Sequence, residues 1–267
     1  MGMRRVLRAM PTLLRVGVAE TVAYRAEFLV WVLTTTQPLI MLSLMTFVTR
    51  SQPFHGYTQP QIVAYYLANL IVRQLTSNWV AWHIMDEIRL GTMSMRLLRP
   101  LHPFWAYMAA HLAAIPFRVV VALPLATILL VSSGATTLPH AWYQLALLPV
   151  TIGLGWLLTF SIFYAIGSLA FFMTQTMAIA NAYFSLFSLF SGYMLPLEML
   201  PRPIQVIADW LPFKYLMYVP LQIMTRELPA SECLYLVGGQ LVWLAIALVC
   251  ALFMWNRGIR RFESVGT

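Results

Sequence analysis

The chain has 267 residues, 60% of them hydrophobic and only 10% charged, with a net charge of +8 at pH 7. This composition is too apolar for a soluble globular domain and indicates a protein that crosses a membrane several times. The positive charge comes from sixteen arginines and one lysine, and in so apolar a chain it does not indicate a nucleic-acid binder. The two cysteines, Cys233 and Cys250, do not suggest a disulfide framework.

The N-terminal segment 3–26 predicts an amphipathic helix. Arg4, Arg5, Arg8 and Arg15 fall on one side of a helical wheel, and apolar residues occupy the other side. We expect this helix to lie in the inner headgroup plane of a membrane; the alternative is an ordinary basic flank of the first span. The apolar run starts late and no small-residue cleavage site follows it, so we do not expect a cleavable signal peptide.

Six apolar stretches are long enough to cross a bilayer, which takes about 20 residues. They are 28–48, 62–84, 104–131, 143–172, 176–195 and 234–255. The sequence therefore predicts an all-α polytopic membrane protein, with a single transmembrane domain over 1–267. Six spans place both termini on the same side.

The loop charges predict the orientation. With both termini inside, eleven loop arginines are cytoplasmic and four basic residues, one of them Lys214, are external. The cytoplasmic side of a membrane retains arginine and lysine in short loops. We expect both termini in the cytoplasm and the proline-rich segment 196–232 outside.

A charged segment, "MDEIRLGTMSMRLLRP", separates the second and third predicted spans. Asp86 and Arg89 are three residues apart and share one face of a helix that continues from the second span. Gly91 is a candidate left-handed end of that helix, and Thr92 is the candidate N-cap of a new helix that Pro100 ends.

This new short helix combines apolar and basic side chains. We expect it to present Met93, Leu97 and Leu98, with Arg96 and Arg99 on one side. An exposed helix of this kind favours a docking surface for another protein. The alternative is a loop that its arginines hold against anionic lipid.

The order of these features resembles the type-2 class of ATP-binding-cassette exporter permeases. The resemblance rests on the basic first helix, the six spans, the cytoplasmic "EIRLGTMSMRLLRP" and the external "SGYMLPLEMLPRPIQVIADWLPFKYLMYVPLQIM", and it covers essentially the whole chain. It implies that 86–99 is a coupling region whose short helix sits in a cleft of a separate ATPase subunit, and that 196–232 contains external re-entrant helices. The implied ATPase contacts are Glu87, Arg89, Gly91, Arg96, Leu97 and Leu98.

The same resemblance implies the partners and the location of the chain. ATP and Mg are bound by ATP-binding-cassette ATPase subunits, so no cofactor is expected in this chain. The wording "RLLRPLHP" is similar to a subfamily often encoded as paired six-span permeases. We therefore expect a second permease copy or a similar six-span chain as partner, in a bacterial inner membrane.

The residues themselves do not indicate an enzyme. A nucleotide-binding P-loop needs a lysine in G-x-x-x-x-G-K-[ST], and the only lysine, Lys214, follows Phe213. No pair of histidines has the spacing of a metal site. The histidines are His55, His83, His102, His111 and His140.

Two arginines lie near the middle of predicted spans, Arg73 in 62–84 and Arg118 in 104–131. An exposed charge at that depth costs about 2.5–3.5 kcal/mol, and no acidic residue lies in any of the six spans. Each arginine is therefore either a structural residue satisfied by neutral acceptors or part of a hydrated substrate path. Asn69 and Asn181 lie at comparable depth and are included in that candidate path.

A second function class stays open, a secondary carrier or channel subunit that works without an ATPase. Such a carrier is expected to show duplicated halves and carboxylates at the membrane midplane, and neither is evident here. For an exporter we expect a dimer, because six helices that face lipid scarcely enclose a path for a bulky substrate. Small residues suited to close helix packing are Gly153, Gly155, Gly167, Ser168 and Ala170.

Overall fold

The computed structural model describes residues 3–23, 36–133 and 141–262, and within these ranges the chain forms helices and no strand. The helices are α1 Met3–Ala23, α2 Thr36–Val48, α3 Gln59–Thr76, α4 Val80–Arg89, α5 Met93–Leu97, α6 Pro103–Ala113, α7 Ile115–Ser133, α8 Trp142–Ser168, α9 Thr176–Phe190, α10 Arg202–Asp209, α11 Lys214–Thr225 and α12 Ala230–Gly258. The predicted all-α fold class is confirmed. The beginning of the first predicted span, 28–35, lies outside the described residues.

Two described segments are long and apolar enough to cross a membrane. They are Trp142–Phe171, which comprises α8 and the short 3-10 turn after it, and Ala230–Gly258, which is α12. These segments overlap the fourth and sixth predicted spans, and α8 and α12 pack along each other. Helices α2 and α9 are apolar but shorter, with 13 and 15 residues. The number of spans stays a prediction.

The second and third predicted spans each contain two helices. Helices α3 and α4 are separated by Ser77, Asn78 and Trp79. Serine and asparagine side chains compete with the helical backbone for hydrogen bonds, which favours such an interruption. Helices α6 and α7 are separated at Ala114, two residues before Pro116, which lacks the N–H that a continuous helix would use.

Helix α1 packs against α6. A Cβ atom on Gly17 would lie 2.9 Å from both Ala110 Cα and Ala113 Cβ, so this close approach requires glycine. Val6 is buried on the same helix. The arginines Arg4, Arg8 and Arg15 are exposed. Helix α1 therefore has one face on the protein and a basic face directed away from it; its location at a membrane surface stays a prediction.

Helices α10 and α11 are joined by the short connection 210–213, and we call this pair of consecutive helices the hairpin. Helix α11 packs against α3, α8 and α12. Gln240 Nε2 donates to the carbonyl of Tyr215 at 2.9 Å and to that of Thr151 at 3.1 Å. Thr151 and Gln240 are nine and ten residues from the first residues of α8 and α12, which is about 14–15 Å along them. The start of α11 therefore lies beside the interior of α8 and α12 and not beside their first residues. Lys214, the first residue of α11, pairs with Asp209 at 2.5 Å.

Two of the small residues proposed for dimer packing are used within the chain. A Cβ on Gly155 would lie 2.6 Å from the carbonyl oxygen of Leu216, and one on Gly167 would lie 3.0 Å from Ala81 Cα. Gly153, in contrast, is exposed and has nothing within 4 Å of its Cβ position. Close packing at Gly155 and Gly167 therefore explains how α8 contacts α11 and α4.

Candidate functional site

The coupling region, 86–99, begins with the end of α4 and contains α5. Gly91 has φ of 74°, a left-handed conformation that glycine adopts without strain, and it reverses the chain as expected. Asp86 and Arg89 form the predicted pair at 3.1 Å, but both side chains are more than half exposed, at 54% and 77%. An exposed pair of this kind contributes little to stability.

A second ion pair joins three helices at the base of the coupling region. Arg96 Nε donates to Glu87 Oε2 at 2.6 Å, and its Nη2 donates to Oε1 of the same carboxylate. Tyr107 Oη on α6 also donates to Glu87 Oε2 at 2.6 Å, and the guanidinium carbon of Arg96 lies 4.2 Å from the centroid of the Tyr107 ring. Glu87 and Arg96 therefore hold α4, α5 and α6 together.

The electrostatics of this cluster favour the charged pair. Burial alone lowers the pKa of Arg96, but the hydrogen bond to Glu87, the nearby Tyr107 and the Glu87 charge outweigh it, so that the pKa of Arg96 is raised. Both side chains are about one-quarter exposed, at 24% and 21%. Sequence reasoning missed Tyr107, because nothing in its own surroundings distinguishes it from the other aromatic residues of the third predicted span.

The exposed part of the coupling region differs from the expected one. Met93 is fully buried, so the expectation that α5 presents it is wrong; its side chain belongs to the main hydrophobic core, because neighbouring helices cover that side of α5. Leu97 is partly buried against the same core. We call the exposed basic and apolar residues the coupling face, namely Arg89, Leu90, Met95, Leu98 and Arg99; Asp86 and Thr92 are exposed beside them. Leu98 is 86% and Met95 71% exposed.

Arg118 is buried and its guanidinium binds oxygen atoms from two helix interruptions. Nη1 donates to the carbonyl of Ser77 and, at 2.8 Å, to the Ser77 hydroxyl. Nη2 donates to the carbonyl of His111 at 3.1 Å, and Nε to that of Ala114 at 3.4 Å. Neutral acceptors therefore account for the polar contacts of this arginine that are described above.

Arg73 has a different environment, between two aromatic rings. Its guanidinium carbon lies 5.0 Å from the ring centroid of Phe187 and 5.2 Å from that of Tyr193. The side chain is half-buried, and among the described residues no carboxylate pairs with it. Phe187 and Tyr193 are more than 100 residues away in sequence, so no local signal could have connected them to Arg73.

The two candidate asparagines are not equivalent. Asn69, one turn before Arg73, donates from Nδ2 to the carbonyls of Gly192 at 3.2 Å and Tyr193 at 3.0 Å. It thereby fixes the turn that carries the Tyr193 ring over Arg73. Asn181 is exposed on α9. The structure thus brings Asn69 and Arg73 to one place and leaves Asn181 on the surface of the chain.

A third cluster, which the sequence did not predict, is centred on Glu198. Its carboxylate accepts from Tyr57 Oη at 3.1 Å and from Tyr218 Oη at 2.6 Å, and it pairs with Arg226 Nη1 at 2.8 Å. Arg226 Nη2 donates to Tyr57 Oη at 2.5 Å. Burial raises the pKa of Tyr57, and the charge of Glu198 raises it further, so Tyr57 remains a hydrogen-bond donor.

These observations together define an all-α membrane protein. Arg73 lies between aromatic rings, and the partly apolar coupling region is held by the Glu87–Arg96 ion pair. Among the residues that the structure describes, no group of histidine, cysteine, aspartate and glutamate could hold a metal ion. The family model described as ABC-2 family transporter protein matches residues 32–266, so the chain belongs to the ABC-2 family of transporter proteins. The resemblance inferred from the sequence is thereby confirmed, and the chain is a membrane component of a transporter that is not itself catalytic. A sequence comparison with curated proteins finds no match.

Proposed function

We propose that the chain is the membrane-spanning subunit of an ATP-driven exporter and that its coupling face docks on a separate ATP-binding-cassette ATPase. The observation that supports this most directly is the coupling face itself. Leu90, Met95 and Leu98 are all more than two-thirds exposed, in a loop that also exposes Arg89 and Arg99. In the proposed orientation this loop and both termini are cytoplasmic, and the hairpin of α10 and α11 enters from the outside.

The ion pair beneath the coupling face suits a docking element that must transmit movement. Glu87, Arg96 and Tyr107 attach α5 to both helices that lead from it into the membrane. Force applied to α5 therefore reaches α4 and α6 together. In this proposal Glu87 and Arg96 support the docking surface from within, while Arg89 and Leu98 contact the ATPase; ATP and Mg are bound by that partner.

We assign the substrate path to the side of α3 and α9 that carries Arg73. Arg73 lies against two aromatic rings and, among the described residues, pairs with no carboxylate, so its charge remains available to an anionic or strongly polar group. Arg118, in contrast, already donates to four oxygen atoms. A second permease, identical or similar, would complete the path on the exposed side of α9. Gly153 is the small residue of the dimer set that has free space around it.

The docking role is tested by co-expression with the ATP-binding-cassette ATPase that we expect to be encoded next to this chain. Met95→Asp with Leu98→Asp places two charges in the proposed interface, and we expect the ATPase to be lost from the purified complex. Met95→Leu with Leu98→Met is the matched control and should retain it. Parental ATPase content in the aspartate variant, with normal insertion, contradicts the proposed contact; a parent that transports with no ATPase bound supports a carrier or channel instead.

A further inference from the structure

Both helices that lead from the coupling region into the membrane are interrupted at the same distance from it. Helix α4, Val80–Arg89, has ten residues and α6, Pro103–Ala113, has eleven, so nine and ten steps separate their first and last residues. These lengths correspond to about 14 and 15 Å of helix. The interruption at Ser77–Trp79 and the one at Ala114 therefore lie at about the same distance from the coupling region.

Arg118 connects the two interruptions directly. Its guanidinium binds the backbone and hydroxyl oxygens of Ser77 in the first and the carbonyls of His111 and Ala114 in the second. Carbonyl groups at the end of a helix lack intrahelical donors, and a guanidinium offers five donors in a rigid plane. The Arg118 side chain thus donates to backbone oxygens at the interruption of the second predicted span and at the interruption of the third.

The helices between the interruptions are joined by polar and ring contacts, and we call them the inner block, α4–α5–α6; α4 also packs against α8, and α6 against α1. The Glu87 carboxylate binds Arg96 and Tyr107 and so joins all three helices. Deeper in the membrane the rings of His83 on α4 and His111 on α6 stack with centroids 5.1 Å apart. Beyond the interruptions, α3 and α7 pack against each other instead.

The first interruption contains a buried amide that has no hydrogen-bond partner in the described structure. Asn78 is only 2% exposed, and neither its Nδ2 nor its Oδ1 is bonded. An unpaired buried amide costs free energy in the conformation that leaves it unpaired. A conformation in which Asn78 gains a partner is favoured by the same amount, and movement at Ser77–Trp79, where Asn78 lies, would change its surroundings directly.

From these contacts we infer that the inner block moves as one body about the interruptions at Ser77–Trp79 and Ala114, and that Arg118 is the positioning residue that keeps the two interruptions in register. The inference rests on the proposed function, because ATPase docking on the coupling face supplies the movement. Arg118 acts through the backbone oxygens it binds, and substrate does not need to touch it.

Hydrogen–deuterium exchange on the full transporter, with and without ATP and orthovanadate, tests the movement. We expect the exchange of 77–80 and 113–116 to change together, while the interior of α4 does not change. A complex that traps nucleotide without any change at either interruption overturns the inference. The absence of a co-purified ATPase from the parent would instead contradict the docking proposal. The two failures are therefore distinguishable, because the first requires a bound ATPase that traps nucleotide.

Two variants test the roles of the side chains in the same complex. Arg118→Gln loses the charge and most of the donors, and we expect transport per ATP hydrolysed to fall about fivefold or more with the ATPase still bound. Asn78→Leu removes the unpaired amide at nearly equal volume, so it should raise the melting temperature by about 2–4 °C and yet lower transport per ATP. Ser77→Ala removes one of the four oxygen contacts of Arg118, and we expect it to lower transport per ATP less than Arg118→Gln does.

If Arg118→Gln does not insert, the Asn78→Leu result decides the question alone. The inference is overturned if Asn78→Leu has the same transport per ATP hydrolysed and the same melting temperature as the parent protein. Arg118→Lys keeps the charge without the planar fork, and we expect it to recover part of the ratio; a purely structural arginine would change expression and melting temperature but leave the ratio of transport to hydrolysis unaltered.

Discussion

The two ends of the molecule use the same three residue types for different purposes. At the coupling region Glu87 binds Arg96 and Tyr107, and near the hairpin Glu198 binds Arg226 and Tyr57, with the arginine lying over the tyrosine ring in both cases. The partners of Glu87 are 9 and 20 residues away, whereas Tyr57 is 141 residues from Glu198. The first cluster stiffens neighbouring helices; the second joins distant segments.

A third arginine, Arg73, has no glutamate partner among the described residues, and comparing it with Arg96 and Arg226 shows the effect of such a partner. Arg73 also contacts a tyrosine ring, that of Tyr193, but among the described residues it has no glutamate. Arg96 and Arg226 are neutralised inside the chain, and Arg73 keeps its charge available. The comparison therefore separates two arginines that organise the fold from one that is suited to binding.

The largest expected effect follows from removing that available charge. Arg73→Gln keeps some hydrogen bonding but loses the charge, and one charge-assisted hydrogen bond contributes about 1.5–3 kcal/mol. We expect transport to fall roughly tenfold to a hundredfold in vesicles, with normal expression and normal ATPase content. Arg73→Lys should restore part of the activity. Parental transport by the Gln variant would reassign Arg73 to packing.

Breaking the inner cluster comes next. Glu87→Gln leaves Arg96 half-buried without its counter-charge, and we expect it to lower the free energy of unfolding by about 2 kcal/mol. Thermal denaturation of the purified protein measures the loss. The double variant Glu87→Gln with Arg96→Gln should lose less than the sum of the two single variants; strict additivity would show that the two side chains do not interact.

The Glu198 cluster should be less sensitive to the same change. Arg226 is 40% and Glu198 29% exposed, so water screens this ion pair more than the inner one. We expect Glu198→Gln to cost about 1 kcal/mol or less, as exposed pairs do. Tyr57→Phe is the comparison that removes the hydrogen bonds of the Tyr57 hydroxyl to Glu198 and Arg226 but keeps the ion pair. If Glu198→Gln lowers the free energy of unfolding more than Glu87→Gln does, the Glu198 cluster is the more stabilising of the two, which contradicts this prediction.

The smallest predicted effect is a pH dependence at the base of the inner block. His102 Nδ1 accepts the N–H of Phe104 at 3.2 Å and caps α6, which requires the neutral ring, and burial lowers the pKa of His102. Its stabilising contribution is therefore complete above its unfolded pKa, about 6.5, and is lost as the pH falls through the lower folded pKa.

His102→Asn retains a capping acceptor that does not titrate. We expect this variant to lose the acid dependence, which for a helix cap amounts to about 0.5–1 kcal/mol, while its stability at neutral pH is close to that of the parent. Melting temperatures measured from pH 7 down to pH 5 compare the two proteins. An identical acid dependence in both would assign it to other groups.

Local chemistry explains how much of the coupling region was predictable. Gly91, the Asp86–Arg89 pair and the short helix that follows them depend on residues a few positions apart, and all three are present in the structure. The side of α5 that faces outward was not predictable. Five residues make too short a helix for periodicity to determine its orientation, and the neighbouring helices that bury Met93 decided it.

The sequence by itself determined that this is an all-α membrane protein of the ABC-2 class, because hydrophobic length and local order specify helices and the family pattern is linear along the chain. Tertiary structure alone decided which distant groups meet around the charged side chains. Arg118 meets Ser77, and Glu198 meets Tyr57, only after chain segments that are 41 and 141 residues apart have packed together. A buried charge is stabilised by whatever lies within a few ångströms of it, and that neighbourhood is a property of the fold, not of the residues next to it in the chain.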